Sequence, residues 1–164
     1  MKNNDEKYYN IDSRRIIFFC YSHEIAFLEK GNTKSNRKIL IARTVGNNFR
    51  DTVINKLIDT LGSKEYYFKN IKLSQIGKED TNQYGVILLV TAYRTQHVNV
   101  RIKRFLQKEP NRSKVIIFYT VDKDDENTDK VKPDIKVDAI SSASISDRVS
   151  KRVSNLVTLI ESKF

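Results

Sequence analysis

Residues 38–57, KILIARTVGNNFRDTVINKL, contain the pattern that decides the fold class. Residues 39–42 are a continuous aliphatic run, which is typical of a strand buried on both faces. The residues after the turn predict a helix, and Gly62 stands where that helix should stop. The apolar positions that predict it recur at helical spacing: Phe49, Val53, Leu57, Ile58 and Leu61.

The same alternation of apolar runs and amphipathic segments continues along the chain. Further strands are predicted at 66–73, 86–90, 115–119 and 137–140, and further helices at 98–106 and 149–160. Alternation of this kind favours a mostly parallel sheet with helices on both faces, wound in two directions from its centre. The connecting segments 74–83 and 121–136 are short or charged, so the second and fourth covering helices are predicted to be reduced.

The domain is predicted to occupy residues 37–164, after an N-terminal extension of residues 1–36. The extension is polar over 1–15, and residues 16–28 are predicted to form an added edge strand or hairpin. No apolar run reaches the length of about 20 residues that a membrane helix needs. Cys20 is the single cysteine, which excludes an internal disulfide. We expect a cytoplasmic protein without a membrane span.

The net charge is +10, and much of it is concentrated in one segment. Only Glu109 is acidic between residues 94 and 114, against seven basic residues: Arg94, Arg101, Lys103, Arg104, Lys108, Arg112 and Lys114. A solvated helix face explains such a run, and a nucleic-acid-binding module is the weaker alternative. No helix-turn-helix, zinc-finger or RNA-recognition signature accompanies the charge.

The turn at residues 43–48 predicts either a tight bend or an anion site. The first backbone N–H groups of a helix lack partners and, with the helix dipole, attract negative charge. Those amides are expected around Gly46, Asn47 and Asn48. In the structural alternative, Gly46 supplies the bend and Asn48 is the N-cap of the helix. In the anion-site interpretation, the guanidinium of Arg43 at the helix N-terminus could also bind the anion.

The first strand, the turn at Gly46 and Asn47, and the later strand that ends at Tyr93 resemble the flavodoxin-like fold. The resemblance covers residues 38–164 and implies a three-layer α/β/α sandwich, a doubly wound parallel sheet with strand order 2-1-3-4-5. It also implies an FMN site at the carboxyl edge of the sheet, where Tyr93 matches a ring-stacking aromatic.

Flavodoxins hold the FMN phosphate with a loop of the form Ser/Thr-x-Thr-Gly-x-Thr. The three hydroxyl positions of that loop correspond to Arg43, Val45 and Asn48, none of which is Ser or Thr. Thr44 is a hydroxyl at the variable position. Residues 120–126, in the loop after the fourth predicted strand of the domain, contain no glycine, although flavodoxins use glycines there to approach the flavin.

Residues 138–144 resemble the motif at which bacterial flavin transferases attach FMN covalently, with Ser144 as the implied acceptor. Two other interpretations stay open. The serines could serve the turn, with Ser146 as the cap of the last helix. Alternatively, the turn hydroxyls, Ser142 among them, could line a ligand crevice at the sheet edge.

The sequence therefore predicts a flavodoxin-like domain that has lost standard FMN binding and binds a protein partner or a small anionic ligand. An FMN-dependent electron carrier or reductase is the alternative. No catalytic residue is assigned, and His23 and His97 form no metal-ligand cluster. The candidate binding site comprises Arg43, Thr44, Gly46, Asn47, Asn48, Tyr93 and Ser142.

Overall fold

The computed structural model describes residues 28–44, 48–62, 65–93, 98–121, 133–142 and 148–164. The strands of the described chain are Leu28–Gly31 (β1), Arg37–Arg43 (β2), Tyr66–Lys72 (β3), Val86–Tyr93 (β4), Val115–Val121 (β5) and Ala139–Ser142 (β6). Its α-helices are Asn48–Leu61 (α1), Val100–Lys108 (α2) and Arg148–Glu161 (α3). The elements alternate as the sequence predicts, and they build an α/β/α sandwich.

The strands form one sheet in the order β1-β3-β2-β4-β5-β6. Strands β3, β2, β4, β5 and β6 are parallel, so they have the predicted order 2-1-3-4-5. The observed sheet differs by one further strand, because β1 pairs antiparallel with the outer side of β3. Of the segment 16–28, in which an added strand or hairpin was predicted, only Leu28 lies within the described residues.

Two apolar layers cover the sheet because alternate residues of each strand point to opposite faces. Residues 39–42 and 86–90 of the central strands β2 and β4 have no exposed surface at all. Helices α1 and α3 pack together on one face, through side chains such as Val53 and Leu156. Helix α2 packs on the other face through Ile102 and Phe105, beside the 3-10 helix Leu73–Lys78.

The two ends of α1 differ in how well the sequence predicts them. Gly62 has a φ of +79°, which suits a glycine directly after a helix, and its N–H donates to the carbonyl of Ile58 at 3.1 Å. The predicted helix stop is therefore confirmed. At the other end, α1 begins at Asn48. The residue before it lies outside the described part of the chain, so the predicted capping role of Asn48 stays a prediction.

The predicted last strand is displaced by two residues, since β6 covers Ala139–Ser142 instead of 137–140. Asp138 explains the later start. Its N–H donates to the carbonyl of Ile117 at 3.0 Å, and its carboxylate accepts from the N–H of Ile117 at 2.8 Å. A side chain thus replaces one backbone group just before the regular ladder begins.

The second covering helix is reduced, as predicted, to two 3-10 turns, Leu73–Lys78 and Thr81–Gln83. A polar cluster lies beside these turns. Lys69 donates to Glu79 at 2.9 Å, and the hydroxyl of Tyr84 lies 3.4 Å from the same carboxylate. The predicted reduction of the fourth helix falls mostly on 122–132, outside the described residues. Within the described part of the chain, none of the helices combines the length and apolar character needed to cross a membrane.

The polar cluster predicts a loss of stability in alkali. Burial, and then the negative Glu79, raise the pKa of the Tyr84 hydroxyl to about 12. A folded-state pKa above the ordinary value near 10 contributes stability that is complete below pH 10 and is lost as the pH rises toward 12. The free energy of unfolding from urea titrations should therefore decline over this range, and Tyr84→Phe should decline less steeply.

The comparison needs wild type and Tyr84→Phe measured at pH 8, 10, 11 and 12. At pH 8 the two proteins should differ only by the long hydrogen bond to Glu79. Parallel curves for the two proteins between pH 10 and 12 would contradict the assignment of the titration to Tyr84.

Candidate functional site

The candidate residues gather at the carboxyl edge of the parallel strands. Arg43 ends β2, Tyr93 ends β4 and Ser142 ends β6. Tyr93 is in register with Val121, which is in register with Ser142. Tyr93 and Ser142 thus lie two strands apart, with Cα atoms separated by about 10 Å. The structure describes the backbone of these two residues only, and Gly46 and Asn47 lie outside the described residues.

Arg43 points into the layer of α1 and is buried, with 8% of its surface exposed. Its Nε donates to the amide oxygen of Asn70 on β3 at 3.1 Å, and an Nη atom forms an ion pair with Asp51 in the first turn of α1. Burial lowers the pKa of Arg43, and the charge and hydrogen bond of Asp51 oppose that shift. The guanidinium therefore joins two strands and a helix.

Thr44 lies on the opposite face of the sheet from Arg43. Its N–H extends the pairing of β2 with β4 by donating to the carbonyl of Val90 at 3.0 Å. Its hydroxyl lies 3.5 Å from the hydroxyl of Thr91, which is buried. The side chain of Thr44 thus contacts the neighbouring strand, and Asn48 is exposed at the start of α1.

A second buried arginine, Arg50 in α1, was missed in the sequence. Only 3% of its surface is exposed, and its Nη1 donates to the hydroxyl of Thr120 on β5 at 2.8 Å. Thr120 is in register with Ser141 on β6, and both are fully buried. A signal was available, because Arg50 precedes Val53, Ile54 and Leu57 by three, four and seven residues and so belongs to the buried stripe.

These side chains form a polar layer between the apolar core and the carboxyl edge. Strand alternation places Asn70, Arg43, Thr120 and Ser141 on the face covered by α1 and α3, and α1 contributes Arg50 and Asp51 to it. The layer contains two guanidinium groups, one carboxylate and two hydroxyls. Groups of this kind hold one another in place and present positive charge behind the helix N-termini.

The first turns of α1 and α3 both begin at this edge, since each helix follows a parallel strand. The first turn of α3 contains no acidic residue and begins with Arg148, followed by Lys151 and Arg152. Burial lowers the pKa of Arg152, and the nearby positive Arg148 lowers it further. The Nε atom of Arg152 is buried and has no hydrogen-bond partner among the described residues. Cations at a helix N-terminus oppose the dipole, and an anion would relieve both effects.

The similarity of this chain to known proteins lies in its structure and not in its sequence. No protein-family model and no curated protein sequence matches the chain. Oxidised flavodoxin 2 from Bacillus cereus is similar in structure, with a TM-score of 0.54 and 16% identity, over 77% of this chain and 99% of that protein.

Two other solved structures give the same TM-score of 0.54. A flavodoxin from the domain Archaea is 9% identical over 77% of this chain and 98% of its own. The flavodiiron core of Flv1 from Synechocystis is 9% identical, over 79% of this chain and 36% of that protein. Similarities at this level of identity establish architecture alone. Together with the strand order and the two helical layers, they show that the chain has a flavodoxin-like fold.

Proposed function

We propose that this flavodoxin-type domain binds a small oxyanion, or the anionic group of a partner, at the carboxyl edge of its sheet, without FMN. The observation that carries the proposal is the buried Nε atom of Arg152, which finds no acceptor among the described residues. Buried donors are nearly always paired, and an oxyanion that reached this donor would supply the acceptor that the described residues do not. A guanidinium binds carboxylate and phosphate oxygens in a forked geometry, which suits an oxyanion.

The surrounding charges support the same ligand. Arg148 and Arg152 repel each other within the first turns of α3, and no acid in that first turn offsets them. The N-terminus of α1 begins at the same edge, where the helix dipole adds partial positive charge. An oxyanion there would lower the repulsion between the two arginines and accept a hydrogen bond from Arg152.

The contacts of the loop residues support the loss of FMN. Arg43 stands at the first hydroxyl position of the flavodoxin loop and is engaged with Asn70 and Asp51. The hydroxyl of Thr44 faces Thr91 on the sheet. Neither residue replaces the hydroxyls with which flavodoxins hold the phosphate. We therefore assign Arg43 to holding the edge together and Arg152 to contacting the ligand.

Phosphate should raise the melting temperature of the protein, because a ligand that binds only the folded state stabilises it. The stabilisation is about 2.7 kcal/mol when the phosphate concentration is about 100 times Kd. Arg152→Gln should abolish the increase and leave the protein without phosphate at least as stable, since repulsion from Arg148 is removed. Differential scanning calorimetry of both proteins, with and without phosphate, measures this.

Two controls separate specific binding from general salt effects. Sodium chloride at matched ionic strength should give a smaller increase than phosphate. Lys56→Gln removes one exposed charge from the middle of α1, away from the edge, and should keep the full response to phosphate. An equal response in wild type and Arg152→Gln, or equal effects of phosphate and chloride, would refute the proposed site.

Added FMN should show no saturable fluorescence quenching when the protein is titrated to micromolar concentration. The reason is that Arg43, Val45 and Asn48 supply no hydroxyl to donate to the phosphate oxygens. Saturable quenching at one FMN per chain, or flavin absorbance in the purified protein, would refute the loss of FMN binding and favour the electron carrier or reductase.

Arg43→Met should destabilise the protein by about 2 kcal/mol, because it leaves the buried amide of Asn70 and the half-exposed Asp51 without their shared cation. Asp51→Asn should cost less, since that side chain reaches solvent. Urea denaturation of both single variants and the double variant gives the coupling energy. Additive effects of the two substitutions would show that the ion pair does not contribute to stability.

A further inference from the structure

Helix α2 presents a row of cations to solvent. The helix is anchored by Ile102 and Phe105, which are buried against the sheet. Its other side is exposed and basic, and the basic surface continues past the helix C-terminus. We define the α2 basic strip as Arg101, Arg104, Lys108 and Arg112, all of which are exposed.

The structure separates these four cations from those that are already paired. Lys103 forms an ion pair with Asp134. Lys114 is buried and lies 3.5 Å from the carboxylate of Glu109, which is itself only 5% exposed and also accepts from the N–H of Asn111. Glu109, the only acidic residue between residues 94 and 114, is therefore paired inside the fold and does not neutralise the exposed cations. None of the four strip residues has an ion pair within the part of the chain that the structure describes.

The three helical members of the strip lie in a row along one side of α2, and Arg112 follows the helix in sequence. Arg101 and Lys108 are seven positions apart, which corresponds to about 10 Å along the helix axis. At about 100° per residue, Arg101, Arg104 and Lys108 lie within about 60° of one another around the helix. A row of this length contacts several charges of an extended polyanion, whereas a small anion would occupy only one or two of its members.

The apolar and aromatic side chains near the strip distinguish between the partners that it could bind. Protein interfaces have an apolar centre, and membrane-binding helices insert apolar side chains. Single-stranded nucleic acid is held by exposed aromatic rings. Among the described residues only Val100 and Phe164 are large, apolar and exposed. Val100 lies next to the strip, but Phe164 packs near Gly85 and Tyr66 at the amino edge of the sheet.

We propose that the α2 basic strip binds the phosphate backbone of double-stranded nucleic acid without reading its sequence. Contacts to phosphates need cations on a polar surface and little else, and that is what the strip offers. The net charge of +10 adds long-range attraction for the same ligand. No described side chain of the strip is of the kind that intercalates, so the base sequence should not matter.

The test is fluorescence anisotropy with a labelled 20-base-pair DNA duplex at several salt concentrations. Four phosphate contacts predict that log K falls with log salt with a slope of about −3.6. The triple variant Arg101→Gln, Arg104→Gln, Lys108→Gln should reduce the magnitude of that slope by about 2.7. Its melting temperature should be nearly unchanged, because exposed charges contribute little to stability.

A matched control removes the same net charge elsewhere. Lys34→Gln, Lys56→Gln and Lys163→Gln neutralise three exposed lysines outside the strip, between β1 and β2, on α1 and just after α3. This control should keep a salt slope near that of wild type. Equal slopes for the two triple variants would show that net charge alone drives binding, and would overturn the assignment to α2.

Competition experiments show which class of polyanion the strip prefers. Duplex DNA of a second sequence and duplex RNA should compete in the anisotropy assay, because both present a double-stranded phosphate backbone. Single-stranded DNA, vesicles rich in phosphatidylserine and a polyglutamate peptide should compete more weakly. Stronger competition by any of these three, by one DNA sequence over all others, or no binding to duplex at about 50 mM salt, would refute the proposal.

Discussion

The complete burial of β2 and β4 is the constraint on which the rest of the structure depends. Residues 39–42 and 86–90 have no exposed surface, so each face of the sheet must be covered by apolar side chains. Because parallel strands require long connections, the crossover helices α1 and α2 supply part of this cover, one on each face. Helix α3, which follows the last strand, packs beside α1. Each of these helices follows a parallel strand, so α1 and α3 both begin at the carboxyl edge. The position of the candidate site is thus a consequence of burying two strands.

The sequence predicted the elements that have a regular apolar pattern or a glycine at their end. The central strands are unbroken apolar runs, α1 has a regular stripe, and Gly62 adopts the positive φ that ends that helix. The last strand has no such pattern. Its buried positions, Ala139 and Ser141, are small or polar, and the aspartate before them pairs with Ile117 through its carboxylate. An apolar count therefore placed that strand two residues too early.

The candidate edge was predictable from topology, but the roles of single residues were not. Arg43 at the end of a strand could have faced the crevice or the helix layer, and only the three-dimensional position of Asp51 shows which. Arg50 was missed because charged residues in helices are usually solvated, although its spacing put it in the buried stripe. Arg152 was also missed, because its burial depends on how α3 packs against the neighbouring elements. Contacts between elements that are distant in sequence leave no local pattern.

The edge strand β1 has a consequence for the behaviour of the protein in solution. Without it, β3 would present a row of unpaired N–H and C=O groups beside aromatic and aliphatic side chains, which is a template for association between chains. Strand β1 covers this row over four residues, from Asn70 to Tyr67, and Lys30 fixes it to α1 through an ion pair with Asp59 of 2.9 Å. The described part of β1 has charged side chains at Glu29 and Lys30, which disfavour the addition of further strands. Charges on the covering strand thus protect β3 against fibre-like growth.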